Sequence, residues 1–243
     1  MNRRPAGGVL CVDRRGPFLG IAEDLVLLGY DPVTGRPRVP TDVLRAVVVG
    51  GVLADLFLSG SLRLSGGGVV ACEGVPVPGP RALRVVWERV RARPGRGIDH
   101  WVRDLGGVSA LVVGGLVRGG VLRGVRVRRG GSWWRRAWVL APAGPVFCRA
   151  RTRGLGMVLA RSDPLTGRAL ALAGLADAAG LLPVVVHAAG IASVTDLSTI
   201  TPVRARIRHA LHHATSPDLA LICATITTTT TGTGPGPGPG LPA

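Results

Sequence analysis

Two segments of the sequence, residues 43–58 and 169–192, are apolar on nearly every side of a helix. A helix of this kind needs neighbours all round, which predicts two central helices inside a surrounding helical layer. A membrane span needs about 20 uninterrupted apolar residues, but the first segment contains Arg45 and Asp55 and the second contains Asp177. We therefore expect both segments to be buried core helices.

Turn and cap residues divide the rest of the chain into shorter elements. The predicted helices cover residues 21–30, 42–58, 81–92, 98–105, 108–118 and 202–214, with Thr41 and Thr201 as the N-caps of the second and the last. A Gly/Pro-rich connector at 66–80 contains one short strand-like run, residues 69–72.

In residues 121–140 the pattern of apolar and polar side chains differs from that of the helical segments. VLRGVRVR alternates apolar and polar side chains, RGGS has turn chemistry, and WWRRAWVL follows, which predicts a β-hairpin. Trp133 and Trp134 are adjacent, so one strand cannot bury both on one face. Together with Arg135 and Arg136 they match amphipathic side chains that settle at a lipid headgroup interface. The alternative, tryptophans packed on the core with arginines outside, stays open.

The two ends of the chain differ from its middle. Residues 1–17 are basic and Gly/Pro-rich, which predicts a flexible arm. A threonine run and Pro-Gly repeats predict that residues 216–243 form a disordered tail. The predicted fold is therefore mainly α: a single compact domain, residues 18–215, of helices packed around central apolar helices, with one β-hairpin.

The sequence has 243 residues and a net charge of +16, and the charge says more about the function than the length does. Such an excess favours partners that are anionic membrane surfaces or nucleic acids. All 30 basic residues are arginine, however, and this bias is also what a very GC-rich coding sequence produces. Both explanations stay open. The basic residues near the start interrupt any signal-peptide core, so we expect a cytoplasmic protein.

Side chains suited to catalysis are few. The sequence contains no nucleotide-binding, serine-hydrolase or zinc-protease motif. His209, His212 and His213 have helical spacing, but no nearby cysteine or acid completes a metal site, so we interpret them as a polar helix face. Glu23 and Asp24 stand in a first helical turn, where acids complement the helix dipole. We expect no enzyme activity, no cofactor, no metal and no small-molecule substrate.

Several motifs occur in a fixed order. They are an acidic pair before a leucine run (EDLVLL, residues 23–28), a D-x-x-x-G turn (31–35), LADLFLSGSLRL (53–64), WERVRARPGRGIDHWVRDL (87–105), LVRGGVL (116–122) and DPLTGRALALAGLADAAGLL (163–182). In this order and spacing the chain resembles the Golgi phosphoprotein 3 family in its bacterial form, over about residues 21–190.

This resemblance implies a peripheral membrane protein. Eukaryotic members of the family recognise phosphatidylinositol 4-phosphate through a basic pocket of one tryptophan and three arginines, and a hairpin at the place of residues 121–140 contributes to self-association and membrane contact. The four pocket positions are occupied here by Pro40, Val49, Gly106 and Ser109. The family's own set of phosphoinositide ligands is therefore absent.

Three arginines close to these positions are candidate substitutes. Arg45 lies one helical turn before Val49 on the same face, and Arg36 and Arg38 flank the preceding loop. Guanidinium groups suit phosphate because they can donate two parallel hydrogen bonds. The sequence thus predicts binding of anionic membrane lipid headgroups at the cytosolic face of a membrane.

Two other functions compete with this prediction. A helix at 109–118 followed by a hairpin with four arginines also fits a winged-helix nucleic-acid-binding module, although that helix has almost no polar side chain to read bases. A structural or interaction module without a lipid ligand is the third possibility.

Overall fold

The structure is a computed structural model. It describes residues 20–31, 34, 36–75, 79–129, 133–140, 144–160, 165, 167–188, 190, 197–213 and 217–231. Within these ranges it describes the backbone alone at residues 124–129, 133–140, 144–147, 151, 197–199 and 231. Within these ranges the fold is mainly helical, as predicted. The helices are α1 (Ile21–Gly29), α2 (Thr41–Leu58), α3 (Arg81–Ala92), α4 (Ile98–Asp104), α5 (Val108–Arg118), α6 (Gly144–Ala160), α7 (Gly167–Ala178), α8 (Leu182–Ala188), α9 (Leu197–His212) and α10 (Pro217–Thr231).

Helix α2 is the centre of the fold. It packs against α1, α3, α4, α5, α7 and α10, and Val49 and Leu53 are completely buried. This confirms the prediction of a central helix. The predicted N-cap was wrong by one residue, because Thr41 is already helical and Pro40 holds the cap position. The fixed φ of proline suits that position, and its carbonyl accepts the Leu44 N–H at 2.9 Å.

The second apolar segment also lies in the core, but as two helices. Leu172 and Leu175 of α7 are buried, and α7 contacts α1 and α2. Gly180, with a φ of +72°, ends α7 and lets the chain turn into α8.

Two antiparallel hairpins accompany the helices. The predicted one consists of β3 (Leu122–Arg129) and β4 (Trp133–Leu140), with Leu122 opposite Leu140. The second joins β1 (Leu62–Ser65) to β2 (Gly68–Ala71), of which the sequence analysis identified only a strand-like run at 69–72. Gly66 and Gly67 form its two-residue turn with φ of +58° and +80°, a conformation that favours glycine.

Helix α9 begins five residues before the predicted start at 202. Thr201 is therefore inside the helix and is not its N-cap, and Pro202 interrupts one backbone hydrogen bond. Ile200 and Ile207, two turns apart, are both buried and hold this helix against the core.

Helix α10 corrects the predicted boundary of the tail. Residues 217–231, which we expected to be disordered, are helical and contact α2, α4, α7 and α9. The reason is an apolar stripe at helical spacing, Leu219, Ile222 and Ile226, which is buried. The threonines of the run satisfy their hydroxyl groups within the helix, as Thr227 does by donating to the Cys223 carbonyl at 2.9 Å. The predicted arm at 1–17 and the end of the predicted tail at 232–243 lie outside the described residues.

The close approach of α1 to α2 depends on Gly51. A Cβ atom at this position would lie 2.8 Å from the Cα of Ala22, which is backbone and cannot swing aside. We expect Gly51→Ala to lower the free energy of unfolding by about 1–3 kcal/mol, measured by urea denaturation, although alanine is the better helix former.

Gly115 of α5 is the matched control, because no atom lies within 4 Å of its hypothetical Cβ. Gly115→Ala should stabilise the protein by about 0.5–1 kcal/mol. Equal changes in the two variants would contradict the close packing of α1 on α2.

Candidate functional site

The turn between α1 and α2 carries two of the predicted ligand residues. Its backbone is closed by two hydrogen bonds: the Asp31 N–H donates to the Arg36 carbonyl, and the Arg38 N–H donates to the Gly29 carbonyl, each at 2.8 Å. The Asp31 carboxylate also accepts the backbone N–H of Thr34 at 2.8 Å. The turn is thus pinned at several points, which limits the positions that its arginines can take.

Arg38 is anchored to this turn by its side chain. Its Nη2 lies 3.2 Å from Asp31 Oδ2, and its Nε donates to the Tyr30 carbonyl at 3.4 Å. Both side chains of the ion pair are about one-third exposed, so the pair is a surface interaction of modest strength.

Arg45 lies near the start of α2, which directly follows this turn. Burial raises the pKa of the half-buried Tyr30 phenol, and the positive charge of Arg45 partly opposes that rise. Arg36 and Arg45 are exposed. The structure therefore brings Arg36, Arg38 and Arg45, which we call the arginine turn, to one short stretch of chain.

Helix α6 adds a basic residue that the sequence analysis did not identify. Cys148 is buried against α1 and its thiol donates weakly to the Leu27 carbonyl at 3.5 Å. Burial raises the pKa of this thiol, while the positive charges of Arg38 and Arg149 oppose the rise. The charges of Arg38 and of the exposed Arg149 thus both act on Cys148, although 111 residues separate the two arginines in the sequence. Only tertiary packing reveals this relation.

The four positions aligned with the family's ligands do not form a basic pocket. Val49 is completely buried, and Pro40 is the cap residue of α2. Gly106 and Ser109 bond to each other, the Ser109 hydroxyl donating to the Gly106 carbonyl at 3.0 Å between α4 and α5. A buried valine cannot contact a headgroup, so this chain cannot use the family's ligand set.

The structure has the predicted hairpin and defines the pairing of its strands. Trp133 pairs with Arg129, Trp134 with Arg128, Arg135 with Val127 and Arg136 with Arg126. The side chains of all these residues lie outside the described part of the structure. Membrane contact by Trp133, Trp134, Arg135 and Arg136 therefore stays a prediction, as does self-association through residues 121–140.

Beneath α1, an ionic network of two largely buried carboxylates and one exposed arginine joins three helices. Arg168 of α7 lies 2.7 Å from Asp24 and 3.6 Å from Asp55, and the two acidic side chains are 7% and 14% exposed. Asp55 Oδ2 accepts the Ile21 N–H at 2.8 Å. The carboxylate that accepts the first backbone N–H of α1 therefore comes from α2. The sequence analysis did not identify this role of Asp55.

The electrostatics of this network are dominated by burial. Burial raises the pKa of the Asp55 carboxyl to about 6, against the opposing hydrogen bond from Ile21 and the charge of Arg168. Burial likewise raises the pKa of Glu23. We interpret the network as a link between helices, because Asp24 and Asp55 both face the same arginine of the protein.

The three clustered histidines form ring contacts with one another. His209 and His213 have ring centroids 4.4 Å apart, and those of His212 and His213 are 5.2 Å apart, on an exposed helix end. Within the described residues there is no group of three His, Cys, Asp or Glu side chains suited to a metal ion.

No single helix among the described residues is both long and apolar enough to cross a bilayer. The pair α7 and α8 reaches that length only together and bends by 119° at its break.

The fold is a mainly helical domain built around an enclosed apolar helix, with an arginine-bearing turn at one end of that helix. The sequence profile of the Golgi phosphoprotein 3 (GPP34) family matches residues 21–214, and the chain belongs to this family. The match confirms the resemblance and extends it beyond residue 190. No curated protein matches the chain.

Proposed function

We propose that this protein binds the anionic lipid headgroups of a membrane, without catalysis, through the arginine turn. The observation that carries the proposal is that the Arg38 side chain is fixed to the Tyr30–Asp31 segment, with the exposed Arg36 in the same turn and the exposed Arg45 near the start of α2. Family membership supports it, since lipid recognition is what the resemblance implies.

The arginine turn has hydrogen-bond donors to offer a phosphate. The guanidinium groups of Arg36 and Arg45 make no hydrogen bond or ion pair to any described residue, while Arg38 uses part of its donor set on Asp31 and Tyr30. An arginine has five N–H donors in a planar fork that fits a phosphate. Close to an anionic bilayer, each such residue adds about 1 kcal/mol of attraction.

Peripheral attachment on the cytosolic face of a membrane is part of this proposal. The tryptophan-rich strand β4 would supply the apolar contact, and the hairpin would offer a surface for a second copy of the chain. Little selectivity between phosphoinositides is expected, because the buried Val49 takes the place of a family ligand.

The nucleic-acid alternative fits the packing less well. Helix α5 buries Val112 and Leu116 and contacts α1, α2 and α3, so it is part of the core. A recognition helix needs a polar face that can enter a groove. An interaction module with no lipid ligand is the remaining alternative.

Vesicle flotation tests the proposal. The purified protein should float with vesicles that contain anionic lipid and should be released as salt rises from about 50 to about 500 mM, because the Debye length then falls below about 5 Å.

Neutral vesicles are the control for this experiment. Equal binding to neutral vesicles would overturn the electrostatic explanation. Tight binding to duplex DNA with no flotation would favour the nucleic-acid alternative, and binding to neither would favour the interaction module.

A further inference from the structure

One face of helix α6 is open to solvent. Met157 and Val158, adjacent residues near the end of this helix, are 50% and 38% exposed. Ala150 and Arg153 of the same helix are exposed as well. Single exposed apolar side chains are common on protein surfaces, but two neighbouring ones on a helix that also carries exposed arginines form an amphipathic surface.

The opposite face of α6 holds the helix in place at both ends. Near its start, Cys148 is buried and its thiol donates weakly to the Leu27 carbonyl of α1 at 3.5 Å. Near its end, Arg206 of α9 donates to the Leu159 carbonyl at 2.9 Å. The open face of α6 is therefore presented in one orientation.

The start of α6 lies beside the arginine turn. Leu27, which Cys148 contacts, belongs to the last turn of α1, and the Arg38 N–H donates to the carbonyl of Gly29, two residues after Leu27. At about 1.5 Å per residue, Met157 lies about 14 Å further along the axis of α6 than Cys148 does. The open face thus extends from the neighbourhood of the arginine turn over a distance that one membrane surface can cover.

The exposed side chains of α6 are basic or apolar. Arg149, Arg153 and Met157 follow one another at intervals of four residues, so they form one line along the helix. Ala150 and Val158 lie on a second line beside it. We call these five residues the α6 face. Helix α6 contains no Asp or Glu, and arginines beside an apolar strip are typical of helices that lie in the headgroup region of an anionic bilayer.

A bilayer fits the α6 face better than two other kinds of partner do. Nucleic acid would engage the arginines but would leave Met157 and Val158 in water. A second copy of the α6 face would bring four arginines together with no acidic residue of α6 to neutralise them. An anionic bilayer offers phosphate groups to the arginines and, just beneath them, an apolar layer to Met157 and Val158.

We propose that the α6 face is a second membrane-contact surface, with Met157 and Val158 at the boundary between headgroups and acyl chains and with Arg149 and Arg153 among the headgroups. This inference rests on the proposed function, which it extends from the arginine turn to a helix with apolar contacts of its own. Membrane binding then has an electrostatic component that salt screens and an apolar component that moderate salt leaves largely unchanged.

Flotation of the double variant Met157→Ser, Val158→Ser tests this surface without a change of charge. With vesicles of phosphatidylserine and phosphatidylcholine, we expect its affinity to fall about fivefold or more, because apolar surface that enters the bilayer is removed. The fall should be as large at about 200 mM salt as at about 50 mM, since Debye screening acts on charges.

The matched control is the double variant Leu58→Ser, Leu221→Ser. These leucines are 39% and 43% exposed and belong to α2 and α10, so the two double variants remove apolar side chains of similar exposure. The control should bind the vesicles as tightly as the unaltered protein does.

A fluorescent label measures the contact directly. A nitrobenzoxadiazole dye is attached to Met157→Cys, in a chain that also carries Cys11→Ser and Cys72→Ser, and the two remaining cysteines are buried. Its emission should brighten and shift to the blue when anionic vesicles are added, because the dye leaves water. The same dye on Leu221→Cys should keep the emission that it has in water.

Equal losses in the two double variants, or a label at position 157 that stays in water while the protein floats, would overturn the α6 face and leave the proposed function standing. A label at 157 that shifts to the blue as protein concentration rises, with no vesicles present, would also overturn it and would identify a second copy as the occupant. If the unaltered protein does not float with anionic vesicles, the proposed function fails, and this inference fails with it.

Discussion

Replacing Arg168 by methionine should lower the free energy of unfolding by about 1–3 kcal/mol at pH 7, less than for a fully buried pair, because Arg168 is itself 43% exposed. Arg168 lies 2.7 Å from Asp24 and 3.6 Å from Asp55, and both carboxylates are largely shielded from water. Without the guanidinium, the largely buried carboxylates of Asp24 and Asp55 would lose the positive charge that they share. The loss should be measured by urea denaturation followed by circular dichroism.

The same variant should lose less stability at pH 5 than at pH 7. The folded pKa of Asp55, about 6, is higher than its ordinary value of 3.8, so the folded state binds the Asp55 proton more tightly than the unfolded state does. The stabilisation that this gives is complete at low pH and is lost as pH rises through about 6. In the methionine variant, protonation of Asp55 at pH 5 therefore removes the negative charge that has lost its arginine partner.

Arg208→Met is the control, because Arg208 is exposed on α9 and its loss should change stability by less than about 0.5 kcal/mol. A loss in Arg168→Met of the same size at both pH values would show that the carboxylates do not carry the effect.

Changing Arg36, Arg38 and Arg45 together to alanine should weaken binding to anionic vesicles on the order of 100-fold at about 100 mM salt. Three residues at about 1 kcal/mol each give about 3 kcal/mol, provided that all three face the membrane. The arginine turn is the feature that places them on one stretch of chain.

The matched control removes the same charge from separate places. Arg63, Arg84 and Arg208 are exposed residues of β1, α3 and α9. Arg204 and Arg206 are unsuitable controls, since Arg204 pairs with Asp177 at 2.7 Å and Arg206 donates to the Leu159 carbonyl at 2.9 Å.

Changing Arg63, Arg84 and Arg208 together to alanine should weaken binding to anionic vesicles by less than about tenfold, because diffuse electrostatic attraction falls off within a Debye length. Equal losses in both triples would mean that the surface is generically basic and that the arginine turn is no site. Strong selectivity for phosphatidylinositol 4-phosphate would mean that the alignment of Pro40, Val49, Gly106 and Ser109 with the family's ligands is wrong.

The sequence predicts this fold best where local pattern and packing agree. Helix α3 has the predicted bounds, because a proline precedes it and its buried residues recur at helical spacing. The hairpin at 122–140 was predicted for the same reason, from its alternation and turn. Helix α10 was missed because threonine has a low helix propensity, which the burial of Ile222 and Ile226 overrides.

The candidate site was predictable only in part. Arg36 and Arg38 are close in sequence to Arg45, so their placement on one turn and the helix that follows it could be predicted. Arg168 comes from α7, and its ion pairs with Asp24 and Asp55 depend on packing over more than 100 residues of chain. No local pattern contains that information.

The position of α10 has a consequence for how the chain folds during synthesis. One side of α2 is covered by α10, where Leu175 of α7 and Ile226 would both lie within about 3 Å of a Cβ added at Gly50. Ribosomes add about 5–20 residues per second, so the 158 residues between the two helices take roughly 10–30 s to make. During that interval the central helix of the fold lacks part of its cover. Nascent chains therefore keep one side of α2 uncovered until residue 231 emerges, and chaperone dependence should end only once α10 has docked.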